Sequence, residues 1–537
     1  MRITPRVVYQ DIKANGFNRE EVFNLYSNRF TTPARTYADD EQYLKLRESF
    51  RDKTFLTDLT ASADLGGAEI TSVSSYIHRD ILVSRDASAL TGSVSVDLGF
   101  PAAAVNLPSN LRDTTKLKQF TQELRIGSTG KGPFQWVFGG FYSHVDRQYI
   151  QLLPTPGYDA FTDARLGAGT SRGAANGFAA DSPYNSFLPY KITQKALFGE
   201  ASYDFGQFKL TGGGRFYDFK ERRSFKSGGL FANGDNRSDT TKSSGFSPRA
   251  IATFQPNKNL SINLQVSKGF RLGGVNDPLN VPLCTASDRA IFGGYQSYKD
   301  ETLWNYEAGV KAQSHGLTFN AAAFRSNIKN LQVTLDAGSC SSRVVFNVPK
   351  ARSQGIEAEL SARPAPGLDL SLSGSILDSK FQSTVRDGTG AVLGGIRSGN
   401  RLPTVPKFQM AAAATYGQHF GGNNEWYVNA TFQHVGTRFT QPSDQENNPR
   451  SFVSGLAFAG ATGTGATVLN LKLPTYNIVN LSAGLKFDRG TEVVLYAKNL
   501  FDERPLLSFD RERGGRARLG FNVGEPRQIG VTVRQSF

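Results

Sequence analysis

Apolar and polar side chains alternate with period two in about eighteen short segments of this chain, and no other feature restricts the fold so much. Such alternation gives a strand two unlike faces. Leu260, Ile262, Leu264 and Val266 interleave with Ser261, Asn263, Gln265 and Ser267. Val479, Leu481, Ala483, Leu485 and Phe487 interleave with Asn480, Ser482, Gly484 and Lys486. Trp304, Tyr306, Ala308 and Val310 do the same with Asn305, Glu307, Gly309 and Lys311. Between the segments, tight Gly/Asn/Asp/Pro turns (64–67, 256–259, 488–490) alternate with long connections. The long ones fall near 13–50, 81–117, 147–189, 222–246, 272–302, 334–343, 383–402, 438–475 and 505–525. This is an up-and-down antiparallel all-β pattern. One strand alone cannot separate a soluble sandwich from a membrane barrel. The asymmetry of the connections can, because bacterial barrels keep short turns in the periplasm and long loops outside. The expected fold is an antiparallel transmembrane β-barrel of about eighteen strands, one domain over 1–537, with extracellular long loops and a periplasmic C-terminus.

Composition agrees. A soluble chain of 537 residues would normally divide into several domains, yet no linker or composition shift marks a boundary. Only 39% of residues are hydrophobic, and no run of about 18 apolar residues encodes a transmembrane helix. Barrel strands need only about 10 alternating residues each, so the absence of such a run does not count against a barrel. The net charge of +14 is spread over loops and strands rather than gathered in a block, which argues against nucleic acid and for anionic lipid or ligand. Met1 to Val7 leads into a strand without an export leader, so the outer-membrane reading expects either that the true N-terminus lies upstream or that the leader was removed before this numbering begins.

Aromatic residues gather beside the short turns: Phe134, Trp136, Phe254, Trp426, Phe487 and Phe537. Strand propensity would scatter them, whereas an interfacial girdle collects them at one end. Cys284 and Cys340 are the only cysteines, both in long connections. Two unrelated buried thiols would be the plain alternative, but an even count in an exported chain predicts a disulfide. Catalysis is not expected, nor is a cofactor. The five histidines lack metal-ligand spacing, and no nucleophile elbow or phosphate-cradling loop is present.

Several motifs, in order, resemble those of TonB-dependent outer-membrane receptors. They are the stretch from Ser267 through Arg271 to Gly274, Gln122 to Ile126, Trp136 to Tyr142, Asn347 to Glu359, Lys498 to Asp502, and the terminal Phe537. The opening Ile3 to Tyr26 resembles a mid-barrel strand and loop of sphingomonad-type members. The resemblance implies a barrel of 22 strands with a plug domain and a TonB-contacting segment ahead of it. On that frame this chain lacks the plug, the coupling segment and the first four or so strands. It would reach TonB only through that missing region.

Arginines predict where a ligand would sit. Arg504, Arg511, Arg513 and Arg516 crowd the last long loop, and Arg271 is expected to face the lumen near its top. Guanidinium forks suit carboxylate and phosphate groups, so an anionic ferric siderophore is the expected ligand. Lipopolysaccharide phosphates compete for the same arginines. The expected function is therefore the barrel of a scarce-nutrient importer, this chain itself being a transport-incompetent fragment, in the outer membrane of a Gram-negative bacterium and monomeric. The alternatives are a passive porin-like channel and a soluble all-β binding protein; a propeller among the latter should show a blade repeat, and none is found.

Overall fold

The computed structural model describes residues 1–536; Phe537, the last of the expected girdle, lies outside them. One antiparallel sheet of 19 strand segments forms the wall. Two of them, Asn185–Phe187 and Tyr190–Asp204, occupy one line between the same neighbours, so eighteen lines cross the sheet. In chain order these are β1 (Arg2–Ala14), β2 (Ser49–Asp64), β3 (Ala68–Asp86), β4 (Asn110–Ser128), β5 (Phe134–Leu152) and β6 (Tyr190–Asp204). Then come β7 (Phe208–Gly228), β8 (Asn236–Asn257), β9 (Leu260–Arg271), β10 (Glu301–Ser314), β11 (Leu317–Asp336) and β12 (Arg343–Ala365). The last six are β13 (Leu368–Phe381), β14 (Phe408–Phe420), β15 (Asn424–Val435), β16 (Tyr476–Lys486), β17 (Thr491–Lys498) and β18 (Gln528–Gln535). Each pairs with the next in the chain. Among the described residues, β1 pairs only with β2, and β18 only with β17.

The alternation sorts residues as the sequence predicts. The apolar set faces outward: Leu264 is 56% exposed and Ile356 57%. Their polar neighbours line the interior, where Thr253 donates to Asn263 at 2.8 Å across β8 and β9. On the inner face, rings lie over glycines directly opposite them, Tyr427 over Gly484 and Tyr496 over Gly530. Any Cβ there would collide with the ring, so only glycine lets the aromatic lie flat. The Tyr427 hydroxyl also donates to Glu492 at 2.9 Å, and Arg534 donates to the same carboxylate at 2.7 Å.

Three expected loops differ. The connection read at 222–246 is mostly strand: β7 runs to Gly228 and β8 resumes at Asn236. The alternation continues there with its polarity reversed. Phe219 and Phe225 are buried on the inner side (3% and 1% exposed), while Lys220, Arg222 and Lys242 point outward. Likewise, the connections near 13–50 and 505–525 carry a sheet of their own, in which Arg19–Asn24 pairs with Arg518–Val523 and that with Leu506–Glu512.

The long connections fold together as a cap. Its cores include Phe23, Leu471, Phe509 and Phe521 in one cluster and Val94, Phe100, Tyr158 and Phe231 in another. Dry packing of aliphatic and aromatic side chains is thus concentrated in the cap and the loop-side ends of strands, and the wall is left with an apolar exterior, as a lipid-facing barrel requires.

Candidate functional site

The cap's centre is built by the last loop. The hairpin Leu506–Glu512/Arg518–Val523 turns over a single tight turn at 513–515, where Arg513, Gly514 and Gly515 all have positive φ (53°, 67° and 97°). Glycine adopts this region freely, but an arginine there is uncommon and is held by its surroundings. Arg513 is 5% exposed and donates to Asp97 at 2.8 Å and to the Ser93 hydroxyl at 3.3 Å. Arg511 reaches Asp336 at 3.3 Å and Gln441 at 3.0 Å.

These two arginines border a cavity of about 360 Å3. Arg85, Arg343, Asp277 and Asp336 share its polar side, and Tyr149, Tyr184, Phe231 and Leu283 its apolar side. That size and that mixed lining suit a small molecule held by a few placed polar groups. Arg85 gives one N–H to Asp113 at 2.9 Å, but its Nε, like the Nε of Arg513 and Oε2 of Glu512, is buried without a hydrogen-bond partner among the described residues. Unmet polar atoms of this kind also occur elsewhere in the chain, so it is the enclosed volume and its mixed lining that mark this place as the candidate site.

Desolvation dominates the electrostatics. Burial pushes the carboxyl groups of Asp277 and Glu512 up, against Arg223 beside the first and Arg518 beside the second. Burial lowers the Arg513 guanidinium against Asp97, and it pushes the Tyr184 hydroxyl up to about 12. The site thus offers donors and a phenolic wall in a poorly hydrated space. Its chemistry is that of binding.

Of the five arginines expected at a ligand, only Arg511 and Arg513 line the cavity. Arg271 bonds Glu301 at 2.9 Å and the Gln332 carbonyl at 2.6 Å. Arg504 pairs with Asp40 and with Asp502, the latter at 3.2 Å. Arg516 is spent on Asp97 at 2.6 Å and the Ser454 carbonyl. Arg85 and Arg343 were not foreseen. Arg85 had a usable signal, since it falls on the inward phase of β3 at the strand's loop end; Arg343 is the first residue of β12, opposite Asp336, inside a stretch read as a long connection, and Asp277 and Tyr184 sit in irregular chain. Cys284 and Cys340 are bonded at 2.14 Å and join two connections of the cap. Phe134, Trp136, Phe254, Trp426 and Phe487 all fall on the outward phase at the short-turn end, with Phe254 stacked on Phe208 at 4.6 Å. A wider hollow of about 1010 Å3 lies over Leu210, Ala252, Leu264 and Ala308 and belongs to this outer face. Among the described residues no group of His, Cys, Asp and Glu is placed to hold a metal ion.

Comparison with known proteins agrees with this architecture. A family model described as TonB dependent receptor-like, beta-barrel, matches residues 5–500. The pesticin receptor of Yersinia pestis is 23% identical over 442 residues, which are 82% of this chain and 54% of that receptor. The chain therefore spans about half the length of the curated relatives it matches. The crystal structure of the ferric yersiniabactin uptake receptor of Yersinia pestis superposes with a TM-score of 0.69 at 16% identity, covering 100% of this chain and 68% of that one. The siderophore receptor PiuA of Acinetobacter baumannii gives 0.65 at 14% identity, covering 99% and 71%.

Proposed function

The chain belongs to the TonB-dependent receptor β-barrel family, and from that premise we propose that it is the wall and ligand-capturing cap of an outer-membrane importer. In this reading the long connections face the exterior and the C-terminus the periplasm. The cap binds a small anionic iron chelate, a ferric siderophore, and the intact protein draws on TonB through a region ahead of this one. The outward aromatics at the short-turn end form the periplasmic girdle, and the protein acts as a monomer in lipid.

The cavity beneath the last loop carries the proposal. Arg343 lines it without an ion pair among the described residues, and Arg85, Arg511 and Arg513 bring further guanidinium groups to the same wall. Chelate oxygens would satisfy these donors, and ligand aromatic groups would lie against Tyr149 and Tyr184. The names of the relatives support a siderophore as the class of ligand. The test is quenching of intrinsic fluorescence by ferric phenolate, catecholate and citrate chelates added to refolded protein. At least one class is expected to bind, and Arg85→Ala with Arg343→Ala to weaken it tenfold or more. Binding by none of the three classes, or unchanged affinity in the double variant, would refute the assignment.

A further inference from the structure

Away from its two margins, the wall parts between β8 and β9. The two strands ladder from Asn257 and Leu260 up to Arg249 and Ser267. Above that point β8 runs on to Asn236 paired with β7 alone. β9 leans the other way: Lys268 to Arg271 pair with Trp304 to Glu301 of β10, and Arg271 is held there by Glu301 and the Gln332 carbonyl. Pro248, which has no N–H to offer, stands just above the separation. From Asp239 to Ser247 the backbone of β8 makes no hydrogen bond except to β7 among the described residues. In an antiparallel ladder, alternate residues turn both N–H and C=O away from their partner strand. This stretch therefore holds about eight unused backbone groups in one line.

The lane that β9 leaves is a groove of about 540 Å3. Asp239 to Ser243 form one side, and Val275 with Gln296 to Asp300 the other. The ribbon of Gly274–Val275 and Ser297–Tyr298 runs alongside but exchanges no backbone hydrogen bond with β8. Phe246, 51% exposed, is the last large apolar side chain on the outward phase of β8. The groove begins three residues further on, about 10 Å of strand above the apolar exterior. The unspent charges on its lining are cationic. Asp239 pairs with Arg237 at 2.8 Å, and Asp300 accepts the Gly273 N–H at 2.7 Å and the Tyr217 hydroxyl at 3.4 Å. Lys242 and Lys299 are exposed and have no carboxylate within ion-pair distance among the described residues; nor has Lys220, directly opposite Lys242 on β7.

We propose that this lane takes an extended peptide segment of another protein, acidic at every second position, added to β8 as a further strand from the exterior. The proposal rests on the loop side facing outward, not on the cavity or its ligand. Unused backbone groups repeating every two residues, about 7 Å, are matched by a second extended backbone and not by the convergent oxygens of a small chelate. The peptide's outward side chains would lie beside Lys242, with Lys220 on the strand beyond, and opposite charges across strands are favourable. Carboxylates there would also relieve the two opposed lysines. Its inward side chains would meet Thr241 and Ser243, which suits small or hydroxyl-bearing residues.

The full chain, folded in phosphatidylcholine nanodiscs with insertion read from heat-modifiable gel mobility, is titrated with a fluorescein-labelled peptide of about nine residues that alternates Glu and Thr. The expected result is a saturable rise in anisotropy, weakened by salt and about tenfold weaker in K242Q/K299Q. The same peptide with every backbone nitrogen methylated keeps its charge but should bind about a hundredfold more weakly. Bound peptide should slow amide hydrogen exchange at alternate residues of 239–247 and leave the turn at 513–515 unchanged. The methylated peptide needs no variant, so the backbone arm stands even if K242Q/K299Q fails to fold. Absence of binding, equal binding of the methylated peptide, unchanged affinity in the variant or unchanged exchange at 239–247 overturns strand addition and leaves the importer reading standing. So does displacement by pyrophosphate or ferric citrate at the peptide's own concentration, which would make the occupant a phosphate group or a chelate. Failure of the native chain to insert overturns both.

Discussion

Ala250 offers a direct measure of whether the outward face meets hydrocarbon. It lies between Gly212 on β7 and Val266 on β9, so an arginine there has room. Phe208 and Phe216 bound the apolar band on β7. Their separation is about 26 Å of strand, hence about 20 Å of height at a tilt near 40°. Ala250, two outward rows from each boundary, is at the middle. An arginine on the lipid face at mid-depth costs about 2–4 kcal/mol, whereas the same change on a solvated surface stays within about 0.5 kcal/mol. Ala250→Arg should therefore lower the folding equilibrium by about 30-fold to nearly a thousandfold, at about 1.4 kcal/mol per factor of ten. Thr253→Arg, on the inner phase of the same strand, serves as the control and should be near neutral. The assay is equilibrium urea unfolding from phosphatidylcholine vesicles, followed by tryptophan fluorescence. A neutral Ala250→Arg beside a destabilising Thr253→Arg would mean that the faces have been assigned the wrong way round.

Three further outcomes are expected. Gly484→Val forces the Tyr427 ring off its partner and should cost about 1–3 kcal/mol of overpacking, read in the same unfolding assay; Gly212→Val, on the open outer face, should cost less. Replacing Cys284 and Cys340 by alanine releases a tie over 56 residues, and hydrogen exchange should speed up in the cap near both positions while the wall strands keep their protection. Burial raises the pKa of Glu21 in the cap, so its folded form holds a proton more readily than its unfolded form. Cap stability should then rise as pH falls from 7 toward the ordinary glutamate range, and Glu21→Gln, followed by thermal unfolding across that window, should flatten the rise.

The wall was legible because lipid and lumen impose opposite demands on neighbouring residues, and segments such as Leu260 to Ser267 record those demands one by one. The same logic misread 222–246. Where β7 leaves the apolar band, Phe219 and Phe225 turn inward beneath the cap and Lys220 and Arg222 outward, so the pattern changes phase and resembles a loop to a reader following one phase. The cap was harder. Arg504, Arg511, Arg513 and Arg516 are alike in sequence and all take carboxylate partners, yet only Arg511 and Arg513 border the cavity. Which arginine reaches the cavity depends on partners such as Asp336 and Asp97, far away in the chain, and local pattern carries no trace of them.

The strand Arg19–Asn24 hydrogen-bonds to the hairpin that precedes β18, and Arg504 and Asp40 add an ion pair between the same two connections. The two margins of the wall, β1 and β18, are therefore laced together overhead even though neither ladders to the other among the described residues. Force that spreads the wall would be borne first by this clasp, and anything that unfastens the clasp would loosen the last loop, with Arg511 and Arg513 on it. The last loop and the girth of the barrel are on that account mechanically one element.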